Sequence, residues 1–302
     1  MLIHKAAKFL ALNYLGGIFL FHKNILRKLL YHLIQYYPNF FPCFLINVFQ
    51  FLQRKKVRFF FDKNKNLFYA REFNLKHYFY SKIRGFSFFS NGIMNRSVIL
   101  SESYFIHLIN LRKNDVIFDC GANYGDLFPY FSQFVEPQNY HSFDPSPKDF
   151  ACLILNAARG KNNELGLYDK STTIPFYVNL DYGDSSILKP AQGFDQQIKI
   201  KTISLKQYCL NNSIKFITLL KLEAEGLEPE ILLGAEEYIS IIKYVAVDGG
   251  PERGIFKEET LSKTTNFLLA NNFELLCVDI SSKIGRALFR NKSFMNTNSI
   301  MK

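Results

Sequence analysis

Several short motifs of common enzyme classes are absent from this 302-residue sequence. It contains no His-Glu-x-x-His, no Gly-x-Ser-x-Gly and no Walker loop, which argues against metalloprotease, esterase and P-loop NTPase functions. The five cysteines include no Cys-x-x-Cys pair, which argues against a disulfide framework and a zinc site and indicates a reducing compartment. The spacing of the carboxylates requires no metal ion either.

Acidic residues are missing from the first 61 positions. Nine of the net eleven positive charges lie there, between long apolar and aromatic runs, so the region resembles neither a solvated tail nor a nucleic-acid-binding arm. Apolar residues at helical spacing predict an amphipathic helix that Pro38 ends. The apolar face of this helix comprises Leu26, Leu29, Leu30, Leu33, Ile34 and Tyr37.

A good membrane-spanning stretch is also missing. The segment from Phe9 to Phe21 has 13 uncharged residues, short of the roughly 20 that cross a bilayer, and Pro38 and Pro42 interrupt the longer run that follows. Two interpretations of residues 1–56 stay open: the segment lies on an anionic membrane surface, or it is a helical cap packed on the catalytic domain. Because no small-residue cleavage site follows the first apolar run, we expect a cytoplasmic protein, peripheral on the inner membrane face under the first interpretation.

The most informative stretch that is present is DVIFDCGANYG at 115–125. A short apolar run ends in an acid and is followed by a glycine loop. This pattern is typical of a nucleotide-binding sheet, at the point where a buried parallel strand is followed by a helix. The spacing departs from the dinucleotide fingerprint, and an acid beside an open loop suits a ligand with a cationic amino-acid end, such as S-adenosylmethionine. The predicted cofactor contacts in this stretch are Asp119, Gly121, Ala122, Asn123 and Gly125.

A second acid, Asp144, ends the next apolar run, Tyr140–Phe143. An acid about 20 residues past the glycine loop sits at the tip of the second strand of a doubly wound sheet, where it accepts hydrogen bonds from both ribose hydroxyls. Asp144 and the following Pro145 are therefore further predicted cofactor contacts. The alternative interpretation is that Asp144-Pro145 simply forms a turn.

Six blocks of sequence together resemble the FkbM-type family of S-adenosylmethionine-dependent methyltransferases. They occur in the family's order between residues 95 and 290. The resemblance implies an α/β class I methyltransferase fold, with a Rossmann-like, seven-stranded, mostly parallel sheet, and methyl transfer to a hydroxyl, often of a sugar. The blocks are the glycine loop at 115–125, FDPSP at 143–147, Asn156, Asp-Ser-Ser at 184–186, LLKLEAEGLEPEILLGA at 219–235 and VDGGPERG at 247–254.

The sequence departs from the family pattern at three positions. The family usually has Asp where this chain has Glu223, and often Glu where this chain has Asp144. Both changes keep the charge and alter the length of the side chain by one methylene. Pro129 lies where the helix after the loop should begin, so we expect that helix to start late or to kink.

We predict four segments: the basic region 1–56, a lead-in 57–100 with strands over 57–61 and 66–71, the methyltransferase domain 101–292 and a flexible tail 293–302. The other predicted elements are helices over 101–111, 148–159, 227–240 and 260–271, strands over 164–168, 217–222 and 244–248, an insertion over 171–202 that covers the site, and a final hairpin of 273–279 with 286–290.

Three acids, Glu223, Glu225 and Glu228, lie close together after the end of the fourth predicted strand. Ligands bind outside the carboxyl ends of strands in open α/β sheets, so this cluster should face the methyl group and the acceptor. Glu225 is the first candidate general base and Glu223 the second, since crowding raises one carboxyl pKa toward neutrality. Glu223 is also a candidate cofactor contact. For Glu228, electrostatics at the helix start is favoured over catalysis.

The remaining candidates flank this cluster. Asp248 is a catalytic base or an acceptor ligand, and Arg253 holds an acidic substrate or pairs with Glu252. Ser185 and Ser186 form a turn or contact the substrate. The alternative bases His107 and His141 are more often structural at such positions.

The function predicted from these patterns is O-methylation of a sugar, glycan or glycolipid precursor by S-adenosylmethionine. One alternative is methylation of another small metabolite, and another is a noncatalytic, membrane-tethered binding protein that keeps the fold. A nucleic-acid methyltransferase is disfavoured, because no Asn-Pro-Pro-Tyr-like loop for a flipped base follows the fourth strand.

Overall fold

The computed structural model describes residues 36–180, 185–191, 193–279 and 285–294. The chain divides into two compact units between Arg96 and Ser97. Most of the helix predicted over 26–37 and most of the tail predicted over 293–302 lie outside the described residues. Among those that the structure describes, no helix is both long enough and apolar enough to cross a bilayer.

The first unit contains helix α1, Phe40–Leu52, and an antiparallel sheet of β1, Arg58–Asp62, β2, Leu67–Glu72, and β3, Leu75–Phe79, followed by α2, Lys82–Phe89. Alternate strand residues face α2, and Phe59 and Phe68 place their rings 5.1 and 5.7 Å from that of Phe86. This aromatic packing explains why the alternating sequence forms strands. Both lead-in strands are confirmed, each displaced by one residue.

The second unit is built on a seven-stranded sheet, and helix α3, Ile93–Ser103, crosses the division in sequence. In chain order its strands are β4, Ile117–Cys120; β5, Tyr140–Phe143; β6, Lys161–Asn163; β10, Ile217–Leu222; β11, Ile242–Asp248; β14, Phe273–Val278; and β15, Arg286–Asn291. Their spatial order is β14, β15, β11, β10, β4, β5 and β6, and β15 alone among them runs antiparallel. The predicted fold, a seven-stranded and mostly parallel class I methyltransferase sheet, is confirmed.

Smaller elements surround this sheet. A second sheet pairs β7, Gly166–Tyr168, with β9, Gln196–Ser204, and β9 with β8, Thr172–Val178, while β12, Pro251–Arg253, pairs with β13, Glu258–Glu259. The α-helices are α4, Phe128–Phe131; α5, Pro147–Asn156; α6, Leu205–Asn211; α7, Glu228–Leu233; and α8, Leu261–Ala270. The 3₁₀ segments are Ile106–Leu108, Pro137–Asn139, Glu236–Ile241 and Lys292–Phe294.

The central strands are buried on both faces. Every residue of β4 and of β10 is buried, which explains their nearly unbroken apolar sequences. One core lies on the face of Phe118 and Leu220, and another lies on the face of Ile117 and Leu219. The carboxyl ends of β4, β5, β10 and β11 therefore meet at one edge of a rigid layer.

The third sheet strand was predicted wrongly. It is β6, Lys161–Asn163, whereas Gly166–Tyr168 pairs with β9 in the smaller sheet. None of the three polar residues of β6 is buried, so this strand carries no apolar signal. The predicted insertion over 171–202 contains β8 and most of β9, which pair antiparallel.

Backbone conformation and packing explain where two helices differ from expectation. The helix predicted over 101–111 instead ends at Ser103, because Phe105 adopts φ +59° and breaks it before the 3₁₀ turn. The helix predicted over 227–240 is divided at Gly234, where a Cβ would lie 2.3 Å from the Tyr168 carbonyl oxygen. As expected from Pro129, the helix after the glycine loop starts late, at Phe128.

Candidate active site

The glycine loop lies directly against the loop that follows β10. Gly121 has φ +71°, and a Cβ there would lie 1.9 Å from the carbonyl oxygen of Glu223. The amides of Gly121 and Ala122 both donate to the carbonyl of Phe143, at 3.0 and 3.1 Å. Gly125, with φ +80°, closes the turn by donating to the Ala122 carbonyl at 2.8 Å. Glycine is therefore required at 121 by contact as well as by conformation.

Asp144 connects this loop to the end of β5. Its Oδ2 accepts from the amide of Asn123 at 2.8 Å, and its Oδ1 accepts from the amide of Ser146 at 2.9 Å. The turn that the sequence offered as the alternative interpretation is therefore present, and contact of Asp144 with the ribose stays a prediction. Pro145 lies within the turn, partly exposed. Asn156, from α5, supports the other side of the loop by donating to the Tyr124 carbonyl at 2.6 Å.

Lys221 lies at the centre of this site, although no role was predicted for it from the sequence. It lies in β10 and is 2% exposed. Its Nζ donates to the carbonyls of Cys120 and Gly121 at 3.0 and 2.8 Å. A signal was present: a lysine inside a strand that is otherwise apolar has to find buried partners.

A row of alternating charges crosses the sheet at this edge. Lys221 pairs with Asp119 at 3.1 Å and with Glu223 at 2.9 Å. Beyond them, Arg286 lies 3.9 Å from Glu223 and donates from Nε to Asp248 at 2.8 Å. At the other end, the Tyr140 hydroxyl donates to Asp119 at 2.5 Å. Five adjacent strands thus contribute to one buried network.

The electrostatics separate the carboxyl groups of this row. Burial acts to raise the pKa of Glu223, but the charges of Lys221 and Arg286 outweigh it and leave that pKa below its ordinary value. The pKa of Asp248 is raised, by burial and by the neighbouring Glu223 charge. Glu223 is 34% exposed and ionised, so it suits contact with a cation better than proton abstraction.

Glu225 and Glu228 occupy different environments. Glu225 is partly exposed and has φ +52°, next to Gly226 with φ +94°. Glu228 is fully buried and accepts hydrogen bonds from the amides of Ala224 and Gly226 and from the Thr260 hydroxyl, at 2.9, 3.3 and 2.7 Å. Burial raises the pKa of Glu228. Glu228 therefore shapes the loop, while Glu225 is the more accessible of the two.

The predicted substrate contacts are spread over two places. Ser186 donates to the Glu225 carbonyl at 3.3 Å, so the insertion does reach the acid cluster. Ser185 accepts from the amide of Asn179 at 2.9 Å within its own turn. Arg253 forms a two-pronged pair with Glu230, at 2.9 and 2.6 Å, a partner that the sequence analysis did not consider.

Neither histidine lies in the charged row. His141 is buried against the ring of Phe118, at 4.9 Å, with its Nδ1 2.9 Å from the Tyr208 hydroxyl. Burial lowers the pKa of His141 to about 4, so it is a neutral core residue. His107 is exposed on a 3₁₀ turn, where it lines a cavity of about 310 Å³ with residues that include Tyr130 and Phe134.

A sequence model described as the methyltransferase FkbM domain matches residues 119–275, just over half of the chain. The chain belongs to the FkbM methyltransferase family. The match begins at Asp119, the first residue of the glycine-loop site. It includes Asp144 and the acidic loop that follows β10. This part of the chain is an S-adenosylmethionine-dependent methyltransferase domain, and S-adenosylmethionine is its cofactor.

Individual proteins are similar to this chain over part of its length and at low identity. The 31-O-demethyl-FK506 methyltransferase FkbM of Streptomyces tacrolimicus is 26% identical over 176 residues, which cover 47% of this chain and 67% of that protein. The crystal structure of methyltransferase FkbM from Methylobacillus flagellatus KT has a TM-score of 0.41 and 16% identity and covers 61% of this chain. The match spans only 45% of that structure's chain.

A further solved structure has a bound cofactor product. This is TrmK of M. capricolum in complex with S-adenosyl-homocysteine, with a TM-score of 0.38 and 9% identity, covering 64% of this chain and 68% of that one. The likeness is one of fold.

The residues of this chain fit S-adenosylmethionine. The ionised, partly exposed carboxylate of Glu223 lies beside the glycine loop, as a cationic amino-acid end requires. The carboxylate of Asp144 accepts from the amide of Asn123 in the same loop and follows the end of β5, where a doubly wound sheet offers an acid to the ribose hydroxyls. These two groups would hold the two ends of the cofactor.

Proposed function

We propose that this protein transfers a methyl group to a hydroxyl of a sugar, glycan or glycolipid precursor. The observation that carries the proposal is the direct contact between the cofactor loop and the acidic loop after β10, at Gly121 and Glu223. Resemblance to the family adds the hydroxyl acceptor, and the name of the Streptomyces relative describes transfer to an oxygen. The hydroxyl of another small metabolite is the second candidate acceptor.

When bound, the sulfonium of the cofactor supplies an already activated methyl group. The protein then has to align an acceptor oxygen and remove its proton. Glu225 suits the second task, since it is partly exposed and its carbonyl accepts a hydrogen bond from the Ser186 hydroxyl. Asp248 is more deeply buried and already engaged by Arg286, so we assign it to acceptor orientation.

The first test is calorimetry of the full chain with S-adenosylhomocysteine, followed by transfer of labelled methyl to a panel of free and lipid-linked sugars. Micromolar binding and labelling of a hydroxyl support the proposal. Binding without transfer to any sugar, together with labelling of a non-sugar metabolite, would favour the second acceptor class. A folded chain that binds no cofactor would contradict the methyltransferase function altogether.

Replacing Glu225 with glutamine is expected to lower turnover by about 100-fold or more, because a positioned base typically contributes 10²–10⁴-fold. The cofactor Kd should stay unchanged. Glu236→Gln is the matched control, since Glu236 also has a positive φ, +45°, but pairs with Lys206 away from the loops. Full turnover in the Glu225 variant would transfer the role of base to another group.

We also propose that the first unit contacts an anionic membrane surface, which is where a glycolipid acceptor would lie. Helix α1 contains no charged residue and exposes a stripe of aromatic side chains at helical spacing, with Phe40 77% and Phe51 70% exposed. The other members are Phe44 within the helix and Tyr37, which precedes it. The excess of basic residues before Asp62 complements anionic lipid.

Cosedimentation of the full chain with anionic and zwitterionic vesicles tests this surface. The double change Phe40→Ser and Phe51→Ser should weaken binding to anionic vesicles at least 10-fold, since burying one phenylalanine contributes about 1.5–3 kcal/mol. Phe256→Ser is the control, because Phe256 is 80% exposed in the second unit. Unchanged sedimentation of the double variant would favour the alternative, a helical cap.

A further inference from the structure

The ammonium group of Lys221 is surrounded by oxygens from the end of β4 and from the loops that follow β4 and β10. Two are the carbonyls of Cys120 and Gly121, at 3.0 and 2.8 Å. Two are carboxylate oxygens, of Asp119 at 3.1 Å and of Glu223 at 2.9 Å. An ammonium has three protons to donate, so the chain itself uses all the hydrogen-bonding capacity of Lys221. The side chain is 3% exposed.

These contacts clamp the glycine loop. In a trans peptide the carbonyl and the amide point in opposite directions. The peptides that follow Cys120 and Gly121 direct their carbonyls to Lys221, and both direct their amides to the carbonyl of Phe143. The loop is therefore held from opposite sides, by β10 and by the end of β5.

The same ammonium also orients Glu223. One carboxylate oxygen of Glu223 contacts Lys221, and the other faces Arg286 at 3.9 Å. Glu223 remains 34% exposed, so its orientation decides where negative charge is presented at the opening. Lys221 thus contacts both the glycine loop and the Glu223 carboxylate, so it influences the conformation of the loop and the orientation of that carboxylate together.

Stability of the fold alone gives no reason for a lysine here. Replacing a buried ion pair by apolar residues of similar volume is often neutral or stabilising, and the other residues of β10 are threonine and aliphatic side chains. The lysine costs desolvation, yet its contacts converge on the loop and on Glu223. A role at the site accounts for this placement.

We propose that Lys221 is a positioning residue for S-adenosylmethionine, which holds the glycine loop and the Glu223 carboxylate in the one arrangement that receives the cofactor. The inference rests on the proposed function and extends it to a residue that does not itself touch the cofactor. It predicts that loss of the ammonium weakens cofactor binding in protein that is still folded.

The test compares Lys221→Met, which keeps an unbranched side chain, with Lys221→Arg, which keeps the charge. Because Lys221→Met removes the ammonium from two carboxylates and risks unfolding, the double variant Lys221→Met with Asp119→Asn is measured beside it. Circular dichroism establishes folding, and calorimetry gives the Kd of S-adenosylhomocysteine. We expect that Kd to rise about 10-fold or more in folded Met variants, with partial recovery in Lys221→Arg.

Two comparisons separate positioning from mere stabilisation. Lys206→Met is the matched control, since Lys206 also pairs with two carboxylates, Glu236 at 2.7 Å and Glu237 at 3.1 Å, away from the loops. 5′-Methylthioadenosine lacks the amino-acid end, so its Kd should rise less than that of S-adenosylhomocysteine in the Lys221 variants.

A folded Lys221→Met variant, single or double, that binds S-adenosylhomocysteine within about 3-fold of the wild-type Kd would overturn the inference, whatever its melting temperature. Absence of binding by the wild-type chain would instead overturn the cofactor site, and with it the proposed function. The two failures are therefore distinguishable in one series of titrations.

Discussion

Gly121→Ala is expected to lower the free energy of unfolding by about 3 kcal/mol or more. The left-handed backbone at φ +71° disfavours a Cβ by roughly 1–2 kcal/mol. The new Cβ would also lie 1.9 Å from the carbonyl oxygen of Glu223, so the two loops have to separate. Overpacking of this kind typically costs a further 1–3 kcal/mol. Cofactor binding should be lost as well, because the separation displaces Glu223.

The control for this change is Gly193→Ala. Gly193 has a similarly positive φ, +88°, but a Cβ there would meet nothing within 4 Å. That variant should show the backbone cost alone, about 1 kcal/mol. Urea denaturation of both variants measures the difference. Equal destabilisation would mean that the contact between the two loops contributes nothing.

Asp144→Ala is expected to raise the Kd of S-adenosylhomocysteine by about 100-fold, which corresponds to roughly 2.7 kcal/mol. Hydrogen bonds to a charged group contribute about 1.5–3 kcal/mol each, and this carboxylate is predicted to accept hydrogen bonds from the ribose hydroxyls. Its removal also frees the amide of Asn123, which it holds at 2.8 Å. Calorimetry on protein shown to be folded gives the measurement.

Two variants bracket the effect of Asp144. Asp144→Asn keeps one acceptor oxygen and should give an intermediate Kd. Asp195→Ala removes another carboxylate that accepts a backbone amide, that of Leu180 at 2.7 Å, but in the insertion, and should leave the Kd unchanged. A wild-type Kd for Asp144→Ala would restrict this aspartate to its turn.

Much of the fold could be predicted because its signals are local. The fourth sheet strand was predicted over 217–222 and found there, since a short apolar run ending in acids marks both its burial and its end. The polar strand Lys161–Asn163 lacked any such signal. Its place is set by backbone pairing with β5, a non-local interaction.

The candidate site was likewise predictable from the sequence only in part. Asp119, Gly121 and Asp144 were recognised by residue type and spacing, and the structure brings all three to one loop. The structure alone distinguished the acids after β10, because the pKa of Glu223 depends on Lys221 and Arg286. It also moved His141 from a candidate base to the core.

By itself, the sequence determined the family, the class of fold and the cofactor, because these follow from short patterns of residue type. The same patterns identified two acids beside the glycine loop, Asp119 and Asp144. Tertiary structure decided which charges compensate one another. Lys221 lies about 100 positions from the carbonyls that it holds, and Asp248 lies 38 positions from Arg286. Burial makes these pairings obligatory, since an isolated charge inside the sheet would be too costly, and only the packed sheet determines the partners.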